Sequence, residues 1–162
     1  MARIFIGIGS SINRRENICE GVLLLKANFG ELKLSSVYES EAVGFKGGHF
    51  YNLVAELTSD LSISLVIKTL KEIEVQLGRP VKAVKYAPRT LDLDLLLYDQ
   101  EIDYSRDLPR AEITKNAFVL QPLAELAPTL MHPILAVSYQ QLWLQYPVNE
   151  QKLWKIETPI FN

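Results

Sequence analysis

The sequence predicts an α+β fold, a ferredoxin-like βαββαβ core with an antiparallel sheet and C-terminal helical additions. Short apolar segments with strand patterning alternate with two longer segments whose apolar residues recur at helical spacing. Their order along the chain is that of the split βαβ arrangement. The chain has 162 residues, of which 48% are apolar and 22% charged. This is enough for one domain with a substantial core, which we predict over residues 1–162.

The first predicted strand and helix fill the N-terminal 30 residues. An apolar strand covers residues 3–8 and leads into a tight turn, since Gly7-x-Gly9 lacks the third glycine of a dinucleotide-binding loop. Asn13 and Glu16 form a variant of the capping box that would begin the helix. Gly30 would end it.

The middle of the chain predicts two strands and a second helix. Residues 32–38 alternate imperfectly, and residues 39–49 form a loop long enough to suggest a function. The next strand, residues 50–57, opens with Phe50 and Asn52 on one face. This pair could stack on and hydrogen-bond a flat heterocycle, although spacing alone favours a core aromatic and a turn cap. The second helix would cover residues 62–77.

A fourth strand carries two carboxylates, Asp92 and Asp94, on one face. Leu91, Leu93 and Leu95 fill the opposite face, and the apolar run from Leu95 onward predicts burial on both sides. Aspartate is disfavoured in strands, so the pair requires a reason. One reason is a hard cation such as Mg²⁺, which takes carboxylates together with substrate phosphates. The plainer alternative is a solvated polar face paired with Lys or Arg.

The loop before this strand is rich in positive charge. It contains Arg79, Lys82 and Lys85, and Arg89 follows it. A phosphate and its metal ion would therefore meet cations on one side and carboxylates on the other. The loop is predicted to be a mobile flap over phosphates, with a solvated basic loop as the alternative.

The last third of the chain predicts smaller elements. Residues 100–103 would form a short return element, and a helix after Asn116 would be cut by Pro122. A final amphipathic helix would cover residues 137–146, with Trp143 and Trp154 as core or surface anchors.

Composition argues against several classes of protein. The net charge of −2 and the pI near 5.7 disfavour a nucleic-acid-binding surface. Cys19 is the only cysteine, so no intrachain disulfide forms. No apolar run approaches a membrane span or a signal peptide, so we expect a cytoplasmic protein with no membrane partner. His49 and His132 have no metal-ligand spacing and should be structural or solvated.

The segment Arg89-Thr90-Leu91-Asp92-Leu93-Asp94, preceded by Gly78-Arg79 and Pro88, closely resembles the signature of the 6-hydroxymethyl-7,8-dihydropterin pyrophosphokinase family of folate biosynthesis. The resemblance extends from the first strand to about Leu123. It implies transfer of pyrophosphate from ATP to 6-hydroxymethyl-7,8-dihydropterin with release of AMP, two Mg²⁺ ions, and a protein that acts as a monomer.

The resemblance also implies which residues form the site. Its catalytic residues are Arg79, Arg89, Asp92 and Asp94, and the two aspartates would hold the metal ions. Its pterin-binding residues are Ser40, Glu41, Val43, Phe50, Asn52, Tyr86 and Phe118. Its ATP-binding residues are Lys71, Glu74, Lys82, Lys85, Arg89, Leu95 and Arg110. The pterin would lie between the rings of Phe50 and Phe118.

The chain departs from the family pattern at a few positions. Ser11 stands where the family has Asn, and Asn116 stands where it has Arg. The Pro-His pair of the family appears here as Pro109-Arg110, followed by Ala111. Ser40-Glu41 stands where the family has Thr-Pro. The departures concern the nucleotide side most. They leave open a divergent non-catalytic or altered-substrate pterin- or nucleotide-binding paralogue. A third class is an RNA-binding ferredoxin-like module, but this sequence lacks the exposed strand aromatics that such a module uses.

Overall fold

A computed structural model describes residues 1–41, 49–78, 90–147, 151–156 and 161. In these residues the helices and strands follow the predicted order, and the α+β fold class with an antiparallel sheet is confirmed. The strands are β1 (Ala2–Ser10), β2 (Lys33–Leu34), β3 (Tyr38–Ser40), β4 (Phe50–Ser59), β5 (Asp92–Tyr98) and β6 (Leu153–Lys155). The helices are α1 (Arg14–Phe29), α2 (Ile63–Gln76), α3 (Ala117–Leu126) and α4 (Tyr139–Gln145).

The sheet has the strand order β5-β1-β4-β3-β6, and β2 also pairs with β4. The strands β1 and β4 are therefore central, and β5 is an edge strand. Two short 3₁₀ turns, Tyr104–Arg106 and Ala111–Thr114, lie between β5 and α3. Among the described helices, none is long and apolar enough to cross a lipid bilayer.

Each face of the sheet has its own apolar core. The face covered by α1 and α2 buries alternate residues of β1 together with Leu91, Leu93 and Leu95, as the pattern of the sequence predicts. The opposite face, covered by α3 and α4, buries Leu96 and Leu97. A register shift between β1 and β5 beside Phe5 breaks the strict alternation, so that both leucines contact this second core.

The single strand predicted over residues 32–38 is wrong, because two short strands, β2 and β3, are found. Ser35 separates them. Its hydroxyl accepts a hydrogen bond from Val54 N at 2.9 Å, while its own N–H donates to Val54 O at 2.9 Å. The Ser35 hydroxyl thus accepts the hydrogen bond from Val54 N that a main-chain carbonyl would accept in a regular strand pair. The strand is interrupted there.

Other predicted boundaries also differ. Helix α3 runs through Pro122, although the missing N–H removes the helical bond to the carbonyl of Phe118; burial of Val119, Leu120 and Leu123 around the proline stabilises the helix. Asn13 has left-handed φ and makes no side-chain cap, so the capping box is wrong. The short return element predicted over residues 100–103 is limited to an isolated bridge between Asp103 and Leu108, and α4 begins two residues later than predicted. Strand β6 was not predicted.

Candidate functional site

The two carboxylates of β5 lie on the sheet face covered by α3 and α4. Asp92 pairs with Gly9 of β1, and Asp94 pairs with Gly7. Both aspartates are half-buried, and the predicted division of the strand, carboxylates on one face and leucines on the other, is confirmed. Neither glycine has a side chain, and the space that a Cβ would take is bordered by Leu96 at Gly7 and by the amide of Asn52 at Gly9.

Asn52 of β4 lies on the other side of the same glycine. It pairs with Gly9, so Asn52, Gly9 and Asp92 form one row across three strands. Two strand spacings put the Cα atoms of Asn52 and Asp92 roughly 10 Å apart. A Cβ added to Gly9 would lie 2.8 Å from Asn52 Oδ1, so only glycine leaves room for this amide. We call this row the trough; it has the amide of Asn52 at one end and the carboxylate of Asp92 at the other.

The amide of Asn52 is held in place from β3. Asn52 Nδ2 donates to Ser40 Oγ at 2.9 Å, and both side chains are buried. Phe50 shares the face of Asn52 and pairs with Ser40. Phe118, in the first turn of α3, packs against the apolar core of this face. Four of the residues predicted to bind a pterin therefore lie at or beside one face of the sheet: Ser40, Phe50, Asn52 and Phe118.

Arg110 brings a positive charge to the carboxylates. Its Nη2 lies 3.4 Å from Asp94 Oδ1 and 2.9 Å from Glu112 Oε1. Burial raises the pKa of the Asp94 carboxyl well above its usual range, and the charge of Asp92 raises it further, whereas Arg110 lowers it. Burial lowers the pKa of Arg110, but the charges of Asp94 and Glu112 outweigh that effect. The site is thus a cluster of interacting charges partly withdrawn from water.

Two residues predicted to bind ATP have side chains that point into the fold. The carboxylate of Glu74 is buried, and its Oε2 accepts a hydrogen bond from Leu93 N at 2.8 Å. Glu74 is therefore not a solvated flank; it satisfies an N–H on the edge strand. Leu95 is 6% exposed, and its side chain packs in the core between the sheet and helices α1 and α2. Only its backbone is therefore available to a ligand.

Lys71 lines a groove of about 1040 Å³ between α2 and the first 3₁₀ turn. The groove walls include Ile67 and Val75 of the helix and Asp107 beyond the turn. Asp107 Oδ2 lies 3.7 Å from Arg110 Nη1, and Arg110 also contacts Asp94. The groove therefore adjoins the charged cluster at the carboxylates.

Several predicted site residues fall outside the described residues. They are Val43, Arg79, Lys82, Lys85, Tyr86 and Arg89. Glu41 is described and exposed, at the point where β3 ends. His132 is buried and structural as predicted: its Nδ1 accepts hydrogen bonds from Ile134 N and Leu135 N at 3.2 and 3.1 Å. His49 is half-exposed and stacks on Trp154.

The donor set on β5 suits a hard cation. Two carboxylates on one face are the oxygen ligands that Mg²⁺ takes when phosphates and water complete its shell. Across the described ranges no three His, Cys, Asp or Glu side chains meet in metal-ligand geometry. A metal ion here would therefore need ligands from a substrate as well as from Asp92 and Asp94.

Sequence reasoning missed three residues of this site. Gly9 was assigned to a turn, although a glycine in a strand opposite another polar residue often marks a close approach. Glu112 and Gln151 complete a chain of polar contacts: Glu112 Oε2 accepts from Asn116 Nδ2 at 3.3 Å, and Asn116 Oδ1 accepts from Gln151 Nε2 at 2.9 Å. The first contact is local, four residues apart, but no local pattern signals the second, since it joins separate segments.

Comparisons with known proteins agree with this geometry. Residues 5–128 match the family model described as 7,8-dihydro-6-hydroxymethylpterin-pyrophosphokinase (HPPK). The chain is 33% identical over 138 residues to the 2-amino-4-hydroxy-6-hydroxymethyldihydropteridine pyrophosphokinase of Aquifex aeolicus, covering 83% of this chain and 86% of that protein. It is 35% identical over 128 residues to the Bacillus subtilis protein of the same name, covering 75% and 76%.

Solved structures share the fold. The crystal structure of HPPK-DHPS in complex with substrates superposes with a TM-score of 0.69 at 12% identity, over 90% of this chain and 43% of that one. The wild-type HPPK-DHPS of Plasmodium falciparum gives 0.65 at 13% identity, over 90% and 44%. The chain thus spans less than half of these longer proteins. From the family model and the relatives together, this chain belongs to the 7,8-dihydro-6-hydroxymethylpterin-pyrophosphokinase family, whose members are transferases that move a pyrophosphoryl group in folate biosynthesis.

Proposed function

We propose that this protein transfers pyrophosphate from ATP to 6-hydroxymethyl-7,8-dihydropterin and releases AMP. The observation that carries the proposal is the row Asn52–Gly9–Asp92. It sets an amide suited to a heterocycle and a carboxylate suited to a metal–phosphate on one face, with only the backbone of a glycine between them. Two substrates bound along this row would meet above Gly9, which is the arrangement that transfer between them requires.

The pterin side of the trough would be formed by β3, β4 and α3. Asn52, fixed by Ser40, offers an amide that both donates and accepts hydrogen bonds, as a pterin ring requires. Phe50 and Phe118 offer aromatic faces for stacking. Val43, Glu41 and Tyr86 complete the set that family resemblance proposes.

The phosphate side would be formed by β5 and the segments beside it. Asp92 and Asp94 would hold two Mg²⁺ ions, which when bound neutralise charge on the triphosphate. The adenosine portion of ATP would bind in the groove at Lys71, because Asp107 of that groove contacts Arg110, which in turn contacts Asp94. Arg79, Arg89, Lys82 and Lys85, in the segment before β5 that lies outside the described residues, are proposed to contact the phosphates.

The reaction is a displacement at the β-phosphorus of ATP. The hydroxymethyl oxygen of the pterin forms a bond to this phosphorus, the bond from it to the oxygen bridging the α-phosphate breaks, and AMP leaves with that oxygen. The hydroxyl proton is released. Asn52 would orient the pterin, and the cations around the phosphates would stabilise charge that builds up on the leaving group.

The test is AMP formation from ATP, Mg²⁺ and 6-hydroxymethyl-7,8-dihydropterin, with EDTA and pterin-free controls. Asp92→Asn and Asp94→Asn should each lower turnover by roughly two orders of magnitude or more, because each removes a charge that electrostatic catalysis needs. Asp60→Asn is the matched control, since that side chain is 82% exposed and far along the chain from the site. It should retain wild-type turnover.

Two results would contradict the proposal. AMP formation at the wild-type rate by Asp94→Asn would remove the carboxylates from the chemistry. A folded wild-type protein that binds the pterin but forms no AMP would instead favour the non-catalytic or altered-substrate alternative.

A further inference from the structure

The side chain of Arg110 contacts the carboxylate of Asp94, which a metal ion would use as a ligand. Its guanidinium lies within 3.4 Å of Asp94 Oδ1, and its backbone N–H donates to Leu96 O at 3.0 Å. The backbone bond fixes the residue against the outer edge of β5, beside the carboxylate. The guanidinium is therefore held at Asp94 by the path of the chain as well as by charge.

Two further carboxylates hold Arg110 from the other side. Glu112 Oε1 lies 2.9 Å from Nη2, and Asp107 Oδ2 lies 3.7 Å from Nη1. Glu112 is itself oriented, because its second oxygen accepts from Asn116 Nδ2, and Asn116 is bonded to Gln151. The cation thus belongs to a network that runs from Arg110 through Glu112 and Asn116 to Gln151.

The contact with Asp94 is also easy to exchange. The distance of 3.4 Å between Arg110 Nη2 and Asp94 Oδ1 is longer than the roughly 2.7–2.9 Å of a strong charge-assisted hydrogen bond. Arg110 Nε is buried without a hydrogen-bond partner among the described residues, so no bond from this nitrogen holds the guanidinium at Asp94. A triphosphate offers the paired oxygens that a guanidinium binds in two-point fashion.

We propose that Arg110 is a positioning residue that suppresses divalent-cation binding at Asp94 until a nucleotide is present. In the free protein the guanidinium occupies Asp94 Oδ1 and repels a second cation. When ATP binds in the adjoining groove, the guanidinium moves to the phosphates and frees the carboxylate. Metal binding is thereby linked to nucleotide binding. The inference rests on the proposed function, because it takes Asp94 as a metal ligand.

The first measurement is Mn²⁺ binding to the nucleotide-free protein, followed by electron paramagnetic resonance, with Mn²⁺ as a probe that takes the same oxygen ligands as Mg²⁺. Arg110→Gln should bind Mn²⁺ about ten- to a hundredfold more tightly than wild type, the equivalent of one charged contact. Arg110→Lys keeps the positive charge and should stay close to wild type. Arg3→Gln, which removes a cation paired with Glu56 elsewhere on the sheet, is the control and should change nothing.

The second measurement is the affinity for Mg²⁺ with α,β-methylene-ATP, whose α–β bridge resists the reaction. Here Arg110→Gln should bind about ten- to a hundredfold more weakly than wild type, because the guanidinium is missing from the phosphates. The same variant therefore changes the two affinities in opposite directions. A variant that simply damaged the fold would weaken both.

The outcomes separate this inference from the proposed function. If Arg110→Gln binds Mn²⁺ no more tightly than wild type, while Asp94→Asn abolishes binding in both backgrounds, the suppression is wrong and the metal site stands. If Asp94→Asn leaves Mn²⁺ binding of Arg110→Gln unchanged, Asp94 is not a metal ligand and the metal assignment of the proposed function fails. An unchanged affinity of Arg110→Gln for the nucleotide analogue would overturn the movement to the phosphates.

Discussion

At the scale of single residues, the carboxylates of β5 work against stability. Burial raises the pKa of Asp94, and the adjacent Asp92 adds to the rise. A folded-state pKa above the unfolded value means that the contribution of Asp94 to stability is full below the unfolded pKa of 3.8 and is lost as the pH rises through the folded pKa. Above the folded pKa the ionised carboxylate is therefore kept at a cost, as catalytic sites often require.

We accordingly expect Asp94→Asn to raise the thermal midpoint while it abolishes AMP formation. Removing the like charge beside Asp92 should stabilise the metal-free protein by about 1 kcal/mol, or roughly 2–4 °C. Arg110 keeps Glu112 and Asp107 as partners, so it is not left alone. The gain should shrink as the pH falls toward 4. Calorimetry at several pH values measures it, with Asp60→Asn as the control. A lower midpoint would mean that the pair with Arg110 outweighs the repulsion.

Gly9 is the second residue whose role can be tested alone. In Gly9→Ala the new Cβ would meet Asn52 Oδ1 at 2.8 Å, so the amide has to turn away from its bond to Ser40. We expect the dissociation constant for the pterin to rise about tenfold, the value of one net hydrogen bond. Gly7→Ala is the matched control, because its Cβ meets Leu96 rather than Asn52. Equal pterin affinity of both variants and wild type in fluorescence titrations would rule out this positioning role.

At the scale of elements, the segment between α3 and α4 is organised by one histidine. His132 Nδ1 accepts from two backbone N–H groups, those of Ile134 and Leu135. Burial lowers the pKa of His132 from its ordinary 6.5. The folded state therefore keeps the neutral ring at a pH where the unfolded chain is already protonated. Stability is full above about pH 6.5 and is lost as the pH falls toward the folded pKa.

This sign predicts a pH-dependent difference between two proteins. An asparagine can present its Oδ1 to the same two N–H groups but carries no proton in this range. His132→Asn should therefore lose less stability than wild type when the pH is lowered from 7.5 to 5.5. Urea unfolding at both pH values gives the comparison, and His49, present in both proteins, cancels. Parallel losses in the two proteins would show that His132 does not titrate against folding.

Elements with a strong local pattern were predictable from sequence. The spacing of Asp92 and Asp94 fixes their common face, because side chains in a strand alternate. The division of residues 32–38 into β2 and β3 was not predictable, since it depends on a hydrogen bond between the hydroxyl of Ser35 and β4. The helix through Pro122 was not either, because tertiary burial outweighs local propensity there.

At the scale of the whole molecule, contacts between distant segments were the least predictable. Arg110 reaches Asp94 only because the chain from Asp99 to Asp107, both with left-handed backbone, returns along the edge of β5. Strand β6 pairs with β3 across more than a hundred residues, and its three-residue length carries no pattern. The sequence could name most candidate site residues, but not the network that joins them.

The segment 151–156 contacts both elements that carry the candidate pterin aromatics. Gln151 Oε1 accepts from Ala117 N at 2.9 Å, at the start of the helix that bears Phe118. Trp154 stacks on His49, with ring centroids 5.6 Å apart, next to the start of the strand that bears Phe50. This segment lies beyond residue 128, where the match to the family model ends. It thus ties together two sides of the trough from outside the family core.

The double variant Gln151→Ala/Trp154→Ala tests this connection. Loss of two hydrogen bonds and one aromatic pair should lower the free energy of unfolding by about 3 kcal/mol, at roughly 1 kcal/mol each. Pterin affinity should fall several-fold as well, because Phe50 and Phe118 lose fixed positions on which stacking depends. Lys152→Ala, at an exposed position between the two, is the control for both urea unfolding and pterin titration. If stability falls while pterin affinity stays at the wild-type value, the segment supports the fold without shaping the site.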